Sequence, residues 1–422
     1  MHCDGCKEFT LLVRCPRTHA FKRLSDRTGE SRALQRRDQV LLSVLFVATI
    51  AYTAIAPNFD QPFVSYAFAS AIIFLCVTPG AKTAHWILAF MAGGVFAVCY
   101  LGFPLDVGQR TLFAPCAGAV GRGCLLVLGW RAIWTTGEQR RALQKVWALS
   151  IGLVLFVFAS LIALNITVWV HRPLLDYYLY VFDGSLGFQP SFLVGQIFGR
   201  YKEVSAAEHV IYNGLPLAIA LLCAAHLKSK APWRPLLIIA TAGVFGYLVY
   251  FAFPAAGPIH VSGAAFPNSP HAFGALSRLR PHPLYAVGGP RNAMPSLHVA
   301  WVLLIWFNCR PFSPRMRLLA LMYVLLTMVA TLGMGEHYLA DLVVALPFAV
   351  GVQALWPPAR YKIFALAEGL TVVWLLALRY ATHFFLLSPL IPWGFTLAST
   401  AISLDLYRHL IFWVEPLQPT DG

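Results

Sequence analysis

Two histidines and one aspartate in this chain have the residue types and spacing that chemistry needs. His298 stands in Pro295-Ser296-Leu297-His298, and His337 opens His337-Tyr338-Leu339-Ala340-Asp341. Each group begins a long apolar stretch. On an α-helix, residues four apart lie on one face, one turn apart. Asp341 is therefore placed to accept the Nδ1 proton of His337, which fixes the tautomer and makes Nε2 the nucleophile. The same carboxylate would stabilise the cationic ring formed on attack. Pro295 is expected to open the next helix, a favoured position for proline. The free N–H groups of Ser296, Leu297 and His298 would then face outward as a site for phosphate oxygens. His298 would donate a proton to the leaving oxygen, with Ser296 a further donor to the phosphate. This set predicts phosphoryl transfer through a histidine intermediate, with His337, His298 and Asp341 as the catalytic residues.

The elements that must position these groups follow from composition. The chain has 422 residues, 58% of them hydrophobic and only 12% charged, with a mean hydropathy of +0.65. A soluble chain would carry about a quarter charged residues. The apolar residues come in runs of roughly twenty, enough for a helix to cross the hydrocarbon. Lipid leaves unpaired backbone groups unsatisfied, so these runs must be helical. The expectation is an all-α, polytopic membrane helical bundle of about 12 transmembrane helices. The spans are read at 39–56, 62–80, 85–103, 112–130, 146–170, 206–226, 235–256, 294–309, 316–336, 337–356, 363–387 and 394–413.

The formal net charge is +14, but the bases fall in short clusters between spans. Arg36 and Arg37, Lys82, Arg131 with Arg140, Arg141 and Lys145, Lys228 with Lys230 and Arg234, Arg310 with Arg315 and Arg317, and Arg360 with Lys362 share one side if both termini are cytoplasmic. That is the positive-inside pattern and not a nucleic-acid stripe, so no nucleic-acid partner is expected. The partners expected are membrane lipid substrates and the bilayer. The predicted location is a bacterial inner membrane or a eukaryotic endomembrane, with the site facing the periplasm or lumen.

Four regions are expected: a basic cytosolic tail (1–38), N-terminal membrane helices (39–145), a catalytic core (146–356), and C-terminal helices with a tail (357–422). The nine cysteines suggest no disulfide framework. Cys3-Asp4-Gly5-Cys6, with Cys15 and His19 downstream, is a weak zinc half-site in a basic tail, and no metal or cofactor is expected. Two long segments face outward: 171–205, aromatic and amphipathic, and 257–293, rich in Gly and Pro. The first is read either as an interfacial element or as a packed outer loop. Glu208, Glu368, Arg379 and Asp405 within spans are read as structural pairs between helices, with Glu208 also at the outer side, where it could line the site.

The quoted histidine blocks resemble the PAP2 superfamily, the type 2 phosphatidic acid phosphatases and their phosphotransferase relatives. The resemblance covers about residues 146–356 and implies a six-helix catalytic core. The family's Pro-Ser-x-His block matches Pro295, Ser296 and His298, and its His-x-x-x-Asp block matches His337 and Asp341. It implies that His337 is the nucleophile, that His298 is the general acid, and that no metal is required. Three departures narrow the resemblance. Ala330 and Thr331 replace the family's Ser-Arg pair, Leu297 replaces a glycine, and no lysine occurs between Lys230 and Lys362 to form its Lys-Arg-Pro block. This pattern looks more like the branch of inositol phosphorylceramide synthase and sphingomyelin synthase, which implies a lipid phosphotransferase. The alternatives are a lipid phosphatase acting on phosphatidate or polyprenyl diphosphate, and a non-catalytic transporter or scaffold. Arg291 is the leading candidate to hold the phosphate, ahead of Arg278 and Arg280.

Overall fold

The computed structural model describes residues 62–101, 113–171, 173–229, 231–268, 281–285, 288–356 and 359–412. The expected first span (39–56), the basic tail with its Cys-x-x-Cys pair, and Arg278 and Arg280 lie outside these residues.

Among the described residues the chain is helical, without named strands. The N-terminal part holds α1 (Pro62–Cys76), α2 (Thr83–Leu101), α3 (Phe113–Trp134) and α4 (Gly137–Val170). The shorter α5 (Asp176–Ser185) and α6 (Pro190–Arg200) follow, then α7 (Lys202–Asn213), α8 (Leu215–Ala225), α9 (Arg234–Ala252) and the short α10 (Pro258–Ser262). The site helices are α11 (Leu297–Asn308) and α13 (Leu339–Ala354), with α12 (Pro314–Gly333) between them. The chain continues through α14 (Tyr361–Tyr380), α15 (Thr382–Phe385) and α16 (Leu390–Phe412).

Every expected span after the first carries a helix or a bent pair. By length and composition five described helices can cross a membrane, or six if the 47° bend between α7 and α8 lies within one span. Four apolar helices, including α11 and α13, are shorter than the roughly 20 residues of a straight crossing. In α11 and α13 the reason is local: irregular segments ending at Ser296 and Tyr338 take up the start of each apolar run. The outward faces of α2, α12 and α14 expose Leu88, Phe90, Met91, Val95, Leu318, Leu319, Leu325, Val372 and Leu376. Water would not tolerate apolar surface on this scale, and lipid does. The helices fit a multi-pass membrane protein.

Packing in the N-terminal part is by small residues, as lipid-embedded interfaces require. A Cβ added at Gly121 of α3 would sit 2.1 Å from the Phe68 carbonyl oxygen of α1, and one at Gly123 would sit 1.9 Å from that of Ala89 in α2. Between these glycines Arg122 is buried, its guanidinium 4.4 Å from the centre of the Phe68 ring. The helix expected at 112–130 is present despite this charge.

The charged residues within spans are arranged differently from the expected interhelical pairs. Asp405 pairs with His409 of its own helix at 3.6 Å, and Arg379 lies over the neighbouring Tyr380 ring. Glu208 packs against Gly333, and Glu368 against Gly351. These two contacts join helices through a missing side chain instead of an opposite charge.

Candidate active site

The described residues of 171–205 and 257–293 meet each other. Leu174 and Leu284 exchange main-chain hydrogen bonds of 2.8 and 2.9 Å, and the Leu175 N–H donates to the Pro254 carbonyl at 2.7 Å. Helix α5 is almost wholly buried, so this part of 171–205 packs into the protein.

Its burial serves two carboxylates. Asp176 and Asp183 are seven residues apart, two turns along one face, and both are fully buried. Asp176 accepts from the N–H of Ala256 at 2.9 Å and of Gly257 at 2.7 Å. Asp183 accepts from the N–H of Leu339 at 2.7 Å and of Ala340 at 3.1 Å. One short helix thereby grips the segment after α9 and the first turn of α13. Burial pushes the Asp176 carboxyl up to about 6, against the pull of the two amides. It pushes that of Asp183 up to about 8, with the nearby charge of Asp341 adding to the shift. Gly257 is required where it stands: its φ is +98°, and a Cβ there would meet the Glu336 carbonyl oxygen at 2.2 Å.

His337 lies in the turn between these gripped segments, two residues ahead of α13. Its Nδ1 donates to the Ala293 carbonyl at 3.0 Å, and Asp341 Oδ2 is 3.5 Å away. The pairing expected from helical spacing is therefore shared. The Ala293 carbonyl takes the hydrogen bond that fixes the tautomer, while the Asp341 carboxyl stands beside the same nitrogen. Asp341 also accepts from the Tyr338 N–H at 2.8 Å, and the His337 carbonyl accepts from the Ser191 hydroxyl at 2.7 Å. His337 Nε2 is buried and has no hydrogen-bond partner, which leaves its lone pair for a substrate.

The second histidine is brought to the same place by main-chain contact. The Ser296 N–H donates to the Asp341 carbonyl at 3.2 Å. Ser296 is the N-cap of α11, its Oγ accepting from the Val299 N–H at 3.4 Å. This corrects the expected register: Pro295 precedes the cap, and His298 is the second residue of the helix. Ser296 is fully buried, and its hydroxyl oxygen serves the helix start. The His298 ring stacks on Tyr212 of α7, with centroids 3.9 Å apart and planes 17° apart. Its Nε2, like that of His337, is buried and without a partner.

Arg291 is buried two residues ahead of Ala293 in the chain. Its Nε donates to the His171 carbonyl at 3.0 Å, and its Nη1 donates to that of Gly289. Burial lowers its pKa, and the charge of Asp176 works against that shift. Two of its donors are thus held by main-chain carbonyls. Glu208 is buried near Gly333 and does not line the cavity beside His298.

Asp176, Asp183 and Tyr212 are the site residues that motif reading missed. The legible signal was two carboxylates seven apart in an aromatic, apolar segment. Replacing Asp183 with alanine leaves one buried amide, that of Ala340, and one partly buried amide, that of Leu339, unsatisfied, the buried one costing about 1–3 kcal/mol and the other less. The expected result is a loss of about 2–5 kcal/mol in stability and a turnover loss of about tenfold or more, because the His337 turn loosens. Asp183→Asn should recover part of both, since a cap oxygen remains. Denaturation midpoints and turnover measured on the same preparations check this, and an Asp183→Ala protein of unchanged stability would remove the grip.

No curated protein and no solved structure matches the chain significantly. The expected catalytic core, 146–356, begins earlier than the stretch that a family comparison finds. That comparison identifies residues 177–355, somewhat less than half of the chain, as a match to the PAP2 superfamily, running from the helix that carries Asp183 to the end of the helix that follows His337.

Proposed function

We propose that this protein is a membrane lipid phosphotransferase of the inositol phosphorylceramide synthase-like kind, working through a phosphohistidine on His337. The observation that carries this reading is the state of His337: its Nδ1 is committed to the Ala293 carbonyl, Asp341 stands at 3.5 Å, and Nε2 is buried and unengaged. An imidazole held in this way attacks phosphorus through Nε2. His298 gives its proton to the leaving oxygen, and then takes one from the incoming alcohol. Arg291, Ser296, Arg278 and Arg280 are proposed to hold the phosphate, by charge and hydrogen bonding to its oxygens.

The test is to supply radiolabelled phospholipid donors and a panel of lipid acceptors to purified protein, with and without EDTA. Label is expected in a lipid product, with activity unchanged by chelation. The carboxylates nearest the histidines are engaged by main-chain amides, and the imidazoles supply the proton transfers. Release of the label as free phosphate alone would make the enzyme a lipid phosphatase. Inhibition by EDTA that Mg²⁺ reverses would contradict the metal-free mechanism.

The site is further proposed to face the periplasm or lumen, as the fall of the basic clusters suggests. Tyr285 is exposed in the outer segment. In a background cleared of native cysteines, Tyr285→Cys should react with an impermeant thiol reagent added outside. Labelling only after the membrane is opened would invert the orientation.

A further inference from the structure

A cavity of about 170 Å³ lies beside His298. It is walled by aromatic rings, Phe63 of α1 and Trp301 of α11 among them, and by Leu161 and Leu164 of α4. Among the described residues, no Asp, Glu, Lys or Arg lines it. Helices α1 and α4 both precede residues 177–355, the stretch that matches the PAP2 superfamily, so the wall extends beyond that stretch.

Several polar groups in the wall are already engaged. The Trp301 Nε1–H donates to the Ile239 carbonyl, the Asn213 amide to that of His209, and the Tyr247 hydroxyl to that of Ser160. Two polar atoms of the lining residues are buried without a partner: Asn292 Oδ1 and His298 Nε2. Both are acceptors when His298 is ready to take a proton, so the missing partner is a donor. A quaternary ammonium suits aromatic walls, but it has no N–H or O–H to offer. A carboxylate or phosphate would be buried here without a counter-charge. An uncharged hydroxyl group meets every condition, because it donates to either acceptor and also accepts if the Asn292 amide is turned.

We infer that this cavity is the acceptor pocket of the enzyme, built by α1 and α4 together with the histidine core to admit the hydroxyl-bearing end of an uncharged alcohol. This rests on the phosphohistidine reading above. The step balances within the site. The acceptor hydroxyl oxygen attacks the phosphorus held on His337, the P–N bond breaks as the P–O bond forms, and the hydroxyl proton passes to His298 Nε2. A water molecule occupies about 30 Å³ of liquid, so the pocket has room for several heavy atoms of an acceptor.

The test uses the full-length protein in mixed micelles with nitrophenyl phosphate as donor. Acceptors are dioctanoylglycerol, glycerol and choline, each in turn. The readout is the ratio of phosphoryl transferred to acceptor over free phosphate released. Transfer to at least one neutral alcohol is expected to exceed transfer to choline by at least about tenfold, the scale on which buried polar mismatches discriminate. Preference for dioctanoylglycerol over glycerol assigns the pocket to a lipid alcohol, and the reverse to a soluble polyol. Filling the cavity with Leu161→Trp or Leu164→Phe should lower the transfer ratio about tenfold or more. Should those variants fail to fold, Asn292→Ala removes one acceptor with little change of volume and should lower the same ratio. An unchanged ratio in the folded variants, or choline accepting as well as the neutral alcohols, overturns the pocket while leaving phosphohistidine chemistry intact. Absence of phosphohistidine on His337 in the unsubstituted protein overturns both.

Discussion

Turnover is expected to fall by about 10⁴-fold or more when His337 is replaced by alanine, the scale of loss when a covalent nucleophile is removed. The replacement also leaves the Ala293 carbonyl without its donor, at a cost of about 1–3 kcal/mol in stability. The two effects separate experimentally. A melting curve reads the second, and turnover at a temperature well below the transition reads the first. Asp341→Asn should cost less stability, because an amide oxygen can still accept from the Tyr338 N–H, yet it removes the charge that supports the cationic ring. Turnover in folded His337→Ala protein close to that of the parent would refute the assignment of the nucleophile.

The second large effect concerns His298. Its removal should slow reaction of substrates with poor leaving groups by about 10²–10⁴-fold, the usual contribution of a general acid or base. With nitrophenyl phosphate, whose leaving group needs no proton, formation of the phosphoenzyme should fall far less. His298→Ala is therefore expected to accumulate phosphohistidine, since the second step still lacks its base, whereas His337→Ala should form none. Mass spectrometry after a quench that avoids acid locates the phosphate. Finding it on His298 in the parent enzyme would exchange the two roles. The geometry argues against that exchange: Nδ1 of His337 is fixed by a carbonyl with a carboxylate beside it, whereas His298 is held by stacking on Tyr212.

The helices were readable in the sequence because apolar length is a strong signal, and α3 was readable even through Arg122. About 12 crossings were expected, and five described helices, or six with the bent pair, are long enough by length and composition, because hydropathy does not register a helix that starts late. Ser296 and Tyr338 end the irregular segments in front of α11 and α13, so each of those helices is shorter than its apolar run. The residues His337, His298 and Asp341 were legible as types at a spacing, but their bonding was not. Sequence spacing pointed to Asp341 as the partner of Nδ1, and the nearer acceptor is a carbonyl 44 residues away in the chain. Main-chain acceptors carry no residue signature. For the same reason the partners of the charged residues expected to pair between helices were not legible: Glu208 and Glu368 face glycines of other helices, and a missing side chain cannot be matched to a charge by reading along the sequence.

The grip exerted by Asp176 and Asp183 has a consequence for how this protein tolerates change. Asp183 holds the amide hydrogens of Leu339 and Ala340, and Asp176 holds those of Ala256 and Gly257 together with the Tyr338 hydroxyl. The positions gripped by their amides are thus blind to side-chain identity so far as the grip is concerned, and Leu339 or Ala340 can drift among residues that pack, with proline excluded because it has no N–H to offer. The gripping residues have no such latitude. Mutational freedom at this site is therefore lopsided: the segment nearest the reacting nitrogen can vary beside an immovable pair of acids more than 150 residues away in the chain.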